Sequence, residues 1–382
     1  MEGKGGAAAV SGKQPLRRRC TGSVAGLIAL VALAAAALLL TGGRIEAGHG
    51  CPSGQSAVRL RSQLTGGAAS VGAANGTASN AKFPVARGRT LVLYTYGGSD
   101  PEYPENFRFF VQEAIRDGDN CDYIIVLQEG EGVAPLDPLP ELPPNARYLR
   151  HPNSCFDFGT IGWVLDTEIT AAQLDTYEYF VWLNPSVRGP FLPAYVRGLM
   201  HWTEPFVSRL SPTVKLVGCS INCVGIGGEI PPSGPPIHVQ TYVAATDRQG
   251  LDVLLATGTV FKCWPTMRSV VEHSELGASA AIFAAGYTVD SLMFRYQGVD
   301  WRDPAVRATA CNNGRNPVNG PDWNDGIFVH PMETLFTKVK APMLEKKWPA
   351  AVAAKKYAEW SKEVANRRTA GAAKRGQKKG GG

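Results

Sequence analysis

Four stretches of the chain hold more polar, glycine and aromatic residues than a hydrophobic core requires. The first runs Arg150-His151-Pro152-Asn153-Ser154-Cys155-Phe156-Asp157-Phe158-Gly159. The second, Leu183-Asn184-Pro185-Ser186-Val187-Arg188-Gly189-Pro190-Phe191, follows directly on an apolar run. The third is His238-Val239-Gln240-Thr241-Tyr242, leading on to Val271-Glu272-His273-Ser274-Glu275-Leu276-Gly277. The fourth is Asn324-Asp325-Gly326-Ile327-Phe328-Val329-His330-Pro331. Asp157 and Glu275, with Glu272 as a substitute, offer carboxylates for general acid–base work. Asn153, Asn184, Ser186 and Gln240 offer hydrogen bonds to a polar ligand. Arg188 offers a guanidinium for phosphate charge, and His330 a ligand for a metal. Tyr94 and Tyr96 close the first apolar run and offer faces on which a base could stack. Each has a plainer reading. Asn153 and Asp157 suit an Asx turn that caps a helix. Glu275 suits the first turn of a helix, and His330 a hydrogen-bonded structural role before Pro331. Tyr94, Tyr242 and Trp264 suit the core. For Asn184, Ser186 and Arg188 the ligand role is favoured, because an apolar strand leads straight into them.

The elements that must position these residues alternate in type. Thr90–Tyr96 is β-branched and aromatic, ends in Gly97-Gly98, and reads as a buried strand. Phe107 to Arg116 has helical spacing. Further strands are expected at Tyr123–Leu127, Arg147–Arg150, Tyr179–Leu183 and Thr213–Val217. Strands alternating with helices predict an α/β fold with a mostly parallel central sheet. Such sheets bind ligands beyond the C-terminal ends of their strands. Chemistry is therefore expected in the loops after Tyr96, Leu183 and Val217. Gly225–Gly228 lacks the following Lys-Ser/Thr of a phosphate loop, and no Gly-x-Ser-x-Gly elbow supports an α/β-hydrolase.

The ends of the chain have a different character. Val24 to Leu40 is a run of seventeen apolar residues without a charge, at the short end of what spans a bilayer, as suits the thinner membranes of the early secretory pathway. Arg17, Arg18 and Arg19 precede it, which places the N-terminus in the cytosol and the rest in a lumen. A cleaved signal peptide has a similar layout but a shorter apolar region, of about 7–15 residues. A transit peptide would be amphipathic. The expected layout is a cytosolic tail (1–23), one transmembrane signal anchor (24–41), a Gly/Ala/Ser-rich flexible stem (42–88), a luminal domain (89–345) and a basic tail (346–382). Asn75-Gly76-Thr77 in the stem is a glycosylation sequon. Ala350 to Asn366 can form a helix, and Arg367 to Gly382 is expected to be disordered. The net charge of +6 lies in the two ends, leaving the body mildly acidic. That distribution argues against a nucleic-acid partner, whose reader carries its charge on a folded face. Of the eight cysteines, Cys20 lies on the cytosolic flank, where palmitoylation is conceivable. Cys51, Cys121, Cys155, Cys219, Cys223, Cys263 and Cys311 face an oxidising lumen that favours disulfides. Cys219 and Cys223 could bridge locally. Zinc is the rival reading for that pair, but no matching Cys/His pair follows at zinc-finger spacing.

In order and wording these stretches resemble the rhamnan-synthesis-protein-F-like glycosyltransferases and their eukaryotic relatives, over roughly Thr90 to Lys340. Arg150, Asn153, Asp157 and Gly159 match that group's R-x-x-N-x-x-x-D-x-G element. Leu183, Asn184, Ser186, Gly189 and Pro190 match its L-N-x-S-v-x-G-P strand end, and Gln240, Thr241 and Tyr242 its v-Q-S/T-y strand. Glu275, Leu276, Ser279, Gly286 and Tyr287 match its E-x-x-L-S helix and following G-Y, with a one-residue drift at Ser279. The resemblance implies a GT-A-like single domain that moves a hexosyl or deoxyhexosyl group from a nucleotide-sugar donor to a glycan, glycoprotein or glycolipid. It implies a resident of the Golgi or endoplasmic reticulum membrane, with the catalytic body luminal. It also raises a divalent metal, Mn or Mg, at the diphosphate. Here the chain departs from the pattern. Where many GT-A enzymes place Asp-x-Asp, it has Asn184-Pro185-Ser186, whose neutral oxygens bind a divalent cation weakly. Arg188 could neutralise phosphate instead. A non-catalytic carbohydrate-binding protein on the same fold is the rival that this departure supports, and a secreted hydrolase comes third.

Overall fold

Strand β1 (Thr90–Tyr96) is buried along its whole length because it sits mid-sheet with both faces covered. Its side chains alternate between two cores. Leu91 and Leu93 join Ile124, Val126, Phe180 and Trp182 on one face, while Val92 and Tyr94 join Tyr123, Ile125, Val181 and Leu183 on the other. This period of two explains why central strands read as continuous apolar runs. A computed structural model describes residues 84–379, apart from Ser233 and Asn313. The expected cytosolic tail, membrane anchor, sequon, Cys20, Cys51 and nearly all of the stem lie outside the described residues. Among the described residues no helix is long and apolar enough to cross a membrane.

The remaining strands are β2 (Cys121–Glu129), β3 (Ala146–Pro152), β4 (Tyr179–Leu183), β5 (Val187–Arg188), β6 (Val214–Gly218), β7 (Ile221–Asn222), β8 (His238–Val239), β9 (Val243–Asp247), β10 (Thr288–Ser291) and β11 (Thr337–Lys338). The main sheet has the order β3-β2-β1-β4-β9-β6-β10. Every neighbouring pair is parallel except that β9 runs antiparallel to both β4 and β6. The expected α/β class with a mostly parallel sheet is therefore what the chain forms. The strand expected around Gln240 shrinks to the two residues of β8, paired with β7. The central strand begins one residue after Tyr242. Val243–Asp247 is alanine-rich because Ala244 and Ala245 are wholly buried between neighbouring strands and helices, so it lacks the β-branched signature of a strand.

Two disulfides brace the loops around the sheet. Cys155 pairs with Cys263 and Cys223 with Cys311. The local Cys219–Cys223 bridge is not formed, and Cys219 is a buried free thiol. The first disulfide works with two glycines. Helix Phe156–Trp163 presents Gly159 and Gly162 to the segment Phe261–Cys263, and a Cβ on them would lie 2.8 Å from the Cys263 Cα and 2.1 Å from the Phe261 carbonyl oxygen. Only glycine allows this backbone contact.

The C-terminal helix runs Pro349–Lys379, past the expected end at Asn366, and its first half belongs to the globular body. Ala351, Ala354 and Ala358 recur at helical spacing and are buried. Ala354 and Ala358 pack against Phe109, Phe191 and Val339, with Lys362 paired to Glu105 at the rim. Ala354→Glu would bury an unpaired carboxylate in that cluster. The expected outcome is a loss of at least about 2 kcal/mol of unfolding free energy, read from urea denaturation.

Candidate active site

The chain leaves β1 for β2 and β3 on one side, then crosses back to add β4 on the other. That reversal leaves a crevice beyond the C-terminal ends of β1 and β4, the place where open α/β sheets bind ligands. A cleft of about 430 Å³ occupies it. Four strand ends contribute: Gly97 and Gly98 after β1, Gln128 in β2, Asn153 after β3, and Asn184 to Ser186 after β4. Gln240 and Glu275 come from beyond the antiparallel strand's side, and Asp157 from the start of helix Phe156–Trp163. Asn153, Asp157, Asn184, Ser186, Gln240 and Glu275 thus meet in one cavity although the sequence scatters them.

The walls are tied by short polar contacts. Asn184 Nδ2 donates to Asp157 Oδ2 at 2.8 Å, and Asn184 Oδ1 accepts from the Ser186 backbone N–H at 3.1 Å and hydroxyl at 2.6 Å. Gln128 Nε2 donates to the Phe156 carbonyl at 2.8 Å and to Thr160 Oγ1 at 2.9 Å. Those bonds, with the Cys155–Cys263 disulfide, hold Phe156 in a left-handed backbone conformation, φ 53°. Such a conformation costs a non-glycine residue about 1–2 kcal/mol and turns the chain so that Asp157 faces the cleft. A Cβ on Gly97 would sit 1.8 Å from Gln128 Oε1, so a larger residue there would displace the Gln128 amide. Gln240 Oε1 accepts from Ser220 Oγ at 2.8 Å, and that hydroxyl lies 2.6 Å from the Tyr242 hydroxyl. Asn153 is exposed at the rim and donates to the Glu131 carbonyl at 3.1 Å.

Glu275 ends a π-helical turn, Val271–Glu275, that runs into helix Leu276–Ala284. Burial, and secondarily the Asp157 charge, push its carboxyl upward, against the pull of Lys338 and Lys340. These lysines are functional candidates that the motif search misses. Both line the cleft. Burial lowers Lys338 to about 8, with Glu275 opposing the shift and Lys340 adding to it. The signal for them was the alternation Thr337-Lys338-Val339-Lys340, a short strand pattern that puts both ammoniums on one face.

Four expected site residues lie elsewhere. Arg188 is buried at 2% exposure and turned away from the cleft. Its Nη2 donates to Glu102 Oε2 at 2.9 Å and its Nε to Asn106 Oδ1 at 2.8 Å. Asn106, wholly buried, donates in turn to the carbonyls of Pro185 and Val339 at 2.8 and 2.9 Å. Arg188 therefore positions the joint between the β4 loop and β11 and is not available to phosphate. Tyr94 is a core residue, its ring 5.0 Å from both Phe107 and Phe110. It is buried and does not line the cleft, so no base can stack on it there. Tyr96 is likewise buried, its hydroxyl donating to the Ala134 carbonyl at 3.0 Å. His330 caps helix Pro331–Thr334 through a 3.1 Å bond from the Met332 N–H to Nδ1 and packs against Tyr357. It does not line the cleft.

A divalent metal finds few ligands in the cleft. Of the cleft's two carboxylates, Asp157 is already engaged by Asn184 and Glu275 lies in the field of Lys338 and Lys340, while the Asn184 oxygen accepts two bonds from Ser186. Among the described residues, the one group of three His, Cys, Asp or Glu side chains with ligand atoms in mutual reach is Asp119, Cys121 and His201. This group could hold an ion, but none of the three lines the cleft. His201 instead faces a separate cavity of about 390 Å³. Its hydrogen bonds are internally complete: Asp119 accepts from the Tyr123 hydroxyl at 2.6 Å and meets His201 Nε2 at 3.3 Å.

No protein-family model matches the chain, and no curated protein matches it. Among solved structures it is similar to the mannosyltransferase PcManGT from Pyrobaculum calidifontis, solved in complex with GDP-Man and Mn2+. The identity is 15%, the TM-score 0.28, and the match covers 55% of this chain and 57% of that one. It is also similar to a glycosyltransferase involved in the glycosylation of the major capsid of PBCV-1, with 14% identity, a TM-score of 0.27, and 53% and 81% coverage. The chain spans little more than half the length of the mannosyltransferase. Both likenesses are too slight to carry an argument about activity.

The position of Arg188 makes a clear prediction. Arg188→Ala leaves Glu102 unpaired and frees Asn106, and should lower the unfolding free energy by about 3–5 kcal/mol. Lys340→Ala, at the cleft surface, should change it by less than about 1 kcal/mol. Parallel urea titrations check both.

Proposed function

We propose that this chain is a nucleotide-sugar-dependent glycosyltransferase with a GT-A-like domain. It is anchored by its N-terminal apolar run, with the body in the lumen of the Golgi or endoplasmic reticulum. The observation that carries the reading is the convergence of Asn153, Asp157, Asn184, Ser186, Gln240 and Glu275 on one cleft at the sheet's switch point. The reaction needs what this cleft has. Glycosyl transfer breaks the bond between the anomeric carbon and the diphosphate oxygen, the electron pair leaving with the diphosphate. A bond forms from the acceptor oxygen to the same carbon, and the acceptor proton passes to a base. Glu275 suits the base. It is half-buried, and a raised proton affinity brings a carboxylate closer to the working pH of a general base. Asp157, oriented by Asn184, and the amide of Gln240 suit the sugar hydroxyls, whose directional hydrogen bonds hold the anomeric carbon in line. The donor is a hexosyl or deoxyhexosyl nucleotide and the acceptor a glycan, glycoprotein or glycolipid.

The second reading, a carbohydrate-binding protein without turnover, is favoured by one feature, the neutral Asn184-Pro185-Ser186 at the end of β4. One assay separates the two. The purified chain is offered a panel of nucleotide sugars, with and without manganese, and nucleotide release is followed. The proposal expects release from at least one donor. It also expects Glu275→Gln to lower kcat by about 10²–10⁴-fold with little change in the donor KM. Release from no donor, together with retention of a free glycan, would establish the binding protein instead.

A further inference from the structure

The poor fit of a divalent cation leaves a physical problem in the proposed reaction. A departing nucleoside diphosphate gains negative charge, and something must stabilise it. The charges present in the cleft are Asp157, Glu275, Lys338 and Lys340. The arginine that the sequence offers for the task is locked away against Glu102.

Lys338 and Lys340 are held in place from three directions. β11 pairs antiparallel with β5, setting Lys338 opposite Val187, and the Val339 N–H donates to the Ser186 carbonyl at 3.0 Å. The buried Asn106 amide fixes the Val339 carbonyl to the Pro185 carbonyl's loop. The Ala341 N–H donates to Asp100 Oδ1 at 3.1 Å, closing the far end. Val339 between the lysines is fully buried, so the alternation of a strand turns both neighbours to the cleft. Two residues apart on a strand places their Cα atoms about 7 Å apart, a span that two adjacent phosphate groups can bridge. Each ammonium rests near a ring rather than in a carboxylate's grip: Lys338 Nζ is 5.2 Å from the Tyr242 ring centre and Lys340 Nζ 5.9 Å from that of Tyr103.

Burial lowers the proton affinity of Lys338, with Glu275 pulling against that shift and the neighbouring Lys340 adding to it. An anion bound between the two ammoniums is attracted by both, whereas a divalent cation there would be repelled by both. The neutral oxygens of Asn184 and Ser186, already bonded to one another, do not compensate.

We propose that Lys338 and Lys340 together bind the diphosphate of the nucleotide donor in the role that a divalent cation would otherwise fill, so that binding and transfer here need no metal. This rests on the glycosyltransferase reading above. In the step already written, the two ammoniums face the oxygens that gain the departing electron pair, and the acceptor proton still goes to Glu275.

The test is calorimetric. UDP and GDP are titrated into the detergent-solubilised full chain, first in EDTA and then with excess Mn2+. At least one should bind in EDTA, with Mn2+ shifting the Kd by less than about threefold, while Lys338→Met and Lys340→Met each weaken it by about tenfold or more. Lys340→Arg, which keeps the charge, should restore most of the affinity. Circular dichroism melts identify any variant that fails to fold, and Lys340→Met at the cleft surface serves if Lys338→Met does not. Binding that requires Mn2+, or lysine variants that bind like the parent, would overturn the inference and leave the glycosyltransferase reading standing. Binding of neither nucleotide in either condition, with no release from any donor, would overturn both.

Discussion

One buried amide joins the two chain segments on which the cleft depends. Asn106 sits at zero exposure in helix Tyr103–Ala114 and uses all of its main bonding capacity. Its nitrogen donates to Pro185 and Val339, and its oxygen accepts from Arg188. Pro185 belongs to the loop that carries Asn184 and Ser186, and Val339 sits between the two cleft lysines. A buried amide in such a network has few alternatives, because an unmade bond there costs about 1–3 kcal/mol. The relative position of loop and strand is therefore fixed sharply. Arg188 and Glu102 back the amide with charge, and the C-terminal helix backs Val339 with an apolar surface.

Around that joint the cleft gathers groups with distinct duties. The Cys155–Cys263 disulfide and the flush contact at Gly159 and Gly162 fix one wall, from which Asp157 projects. The π-helical turn before Leu276 carries Glu275 on the facing wall; such turns often occur where a helix must re-aim a functional side chain. The sheet supplies the floor through the ends of its parallel strands. The balance of two carboxylates and two ammoniums is suited to a ligand that is itself anionic at one end and hydroxyl-rich at the other.

The central strands were legible in the sequence because burial on both faces writes itself as an unbroken apolar run. Thr90–Tyr96 and Tyr179–Leu183 coincide with β1 and β4. β9 was not legible, since its place between two strands demands small alanines. The residues picked out by motif order, Asn153, Asp157, Asn184, Ser186, Gln240 and Glu275, line one cavity. The choice failed for Arg188, Tyr94 and His330, whose side-chain types suit chemistry but whose surroundings suit packing. In β1 strand parity decides that difference, since Thr95 lines the cleft while Tyr94 beside it packs in the core. Lys338 and Lys340 were missed for the converse reason. Their meaning comes from a tertiary pairing with the β4 loop that no local pattern displays.

The central claim is that the cleft beyond β1 and β4 is where the donor diphosphate binds. Hydrogen–deuterium exchange of the full chain with and without saturating UDP or GDP tests it most directly. The account predicts slowed exchange in the peptides that contain Gly97-Gly98, Asn184 to Ser186, and Lys338 to Lys340, with the peptides around His201 unchanged. Protection centred on the His201 cavity, or no protection with either nucleotide, would contradict it.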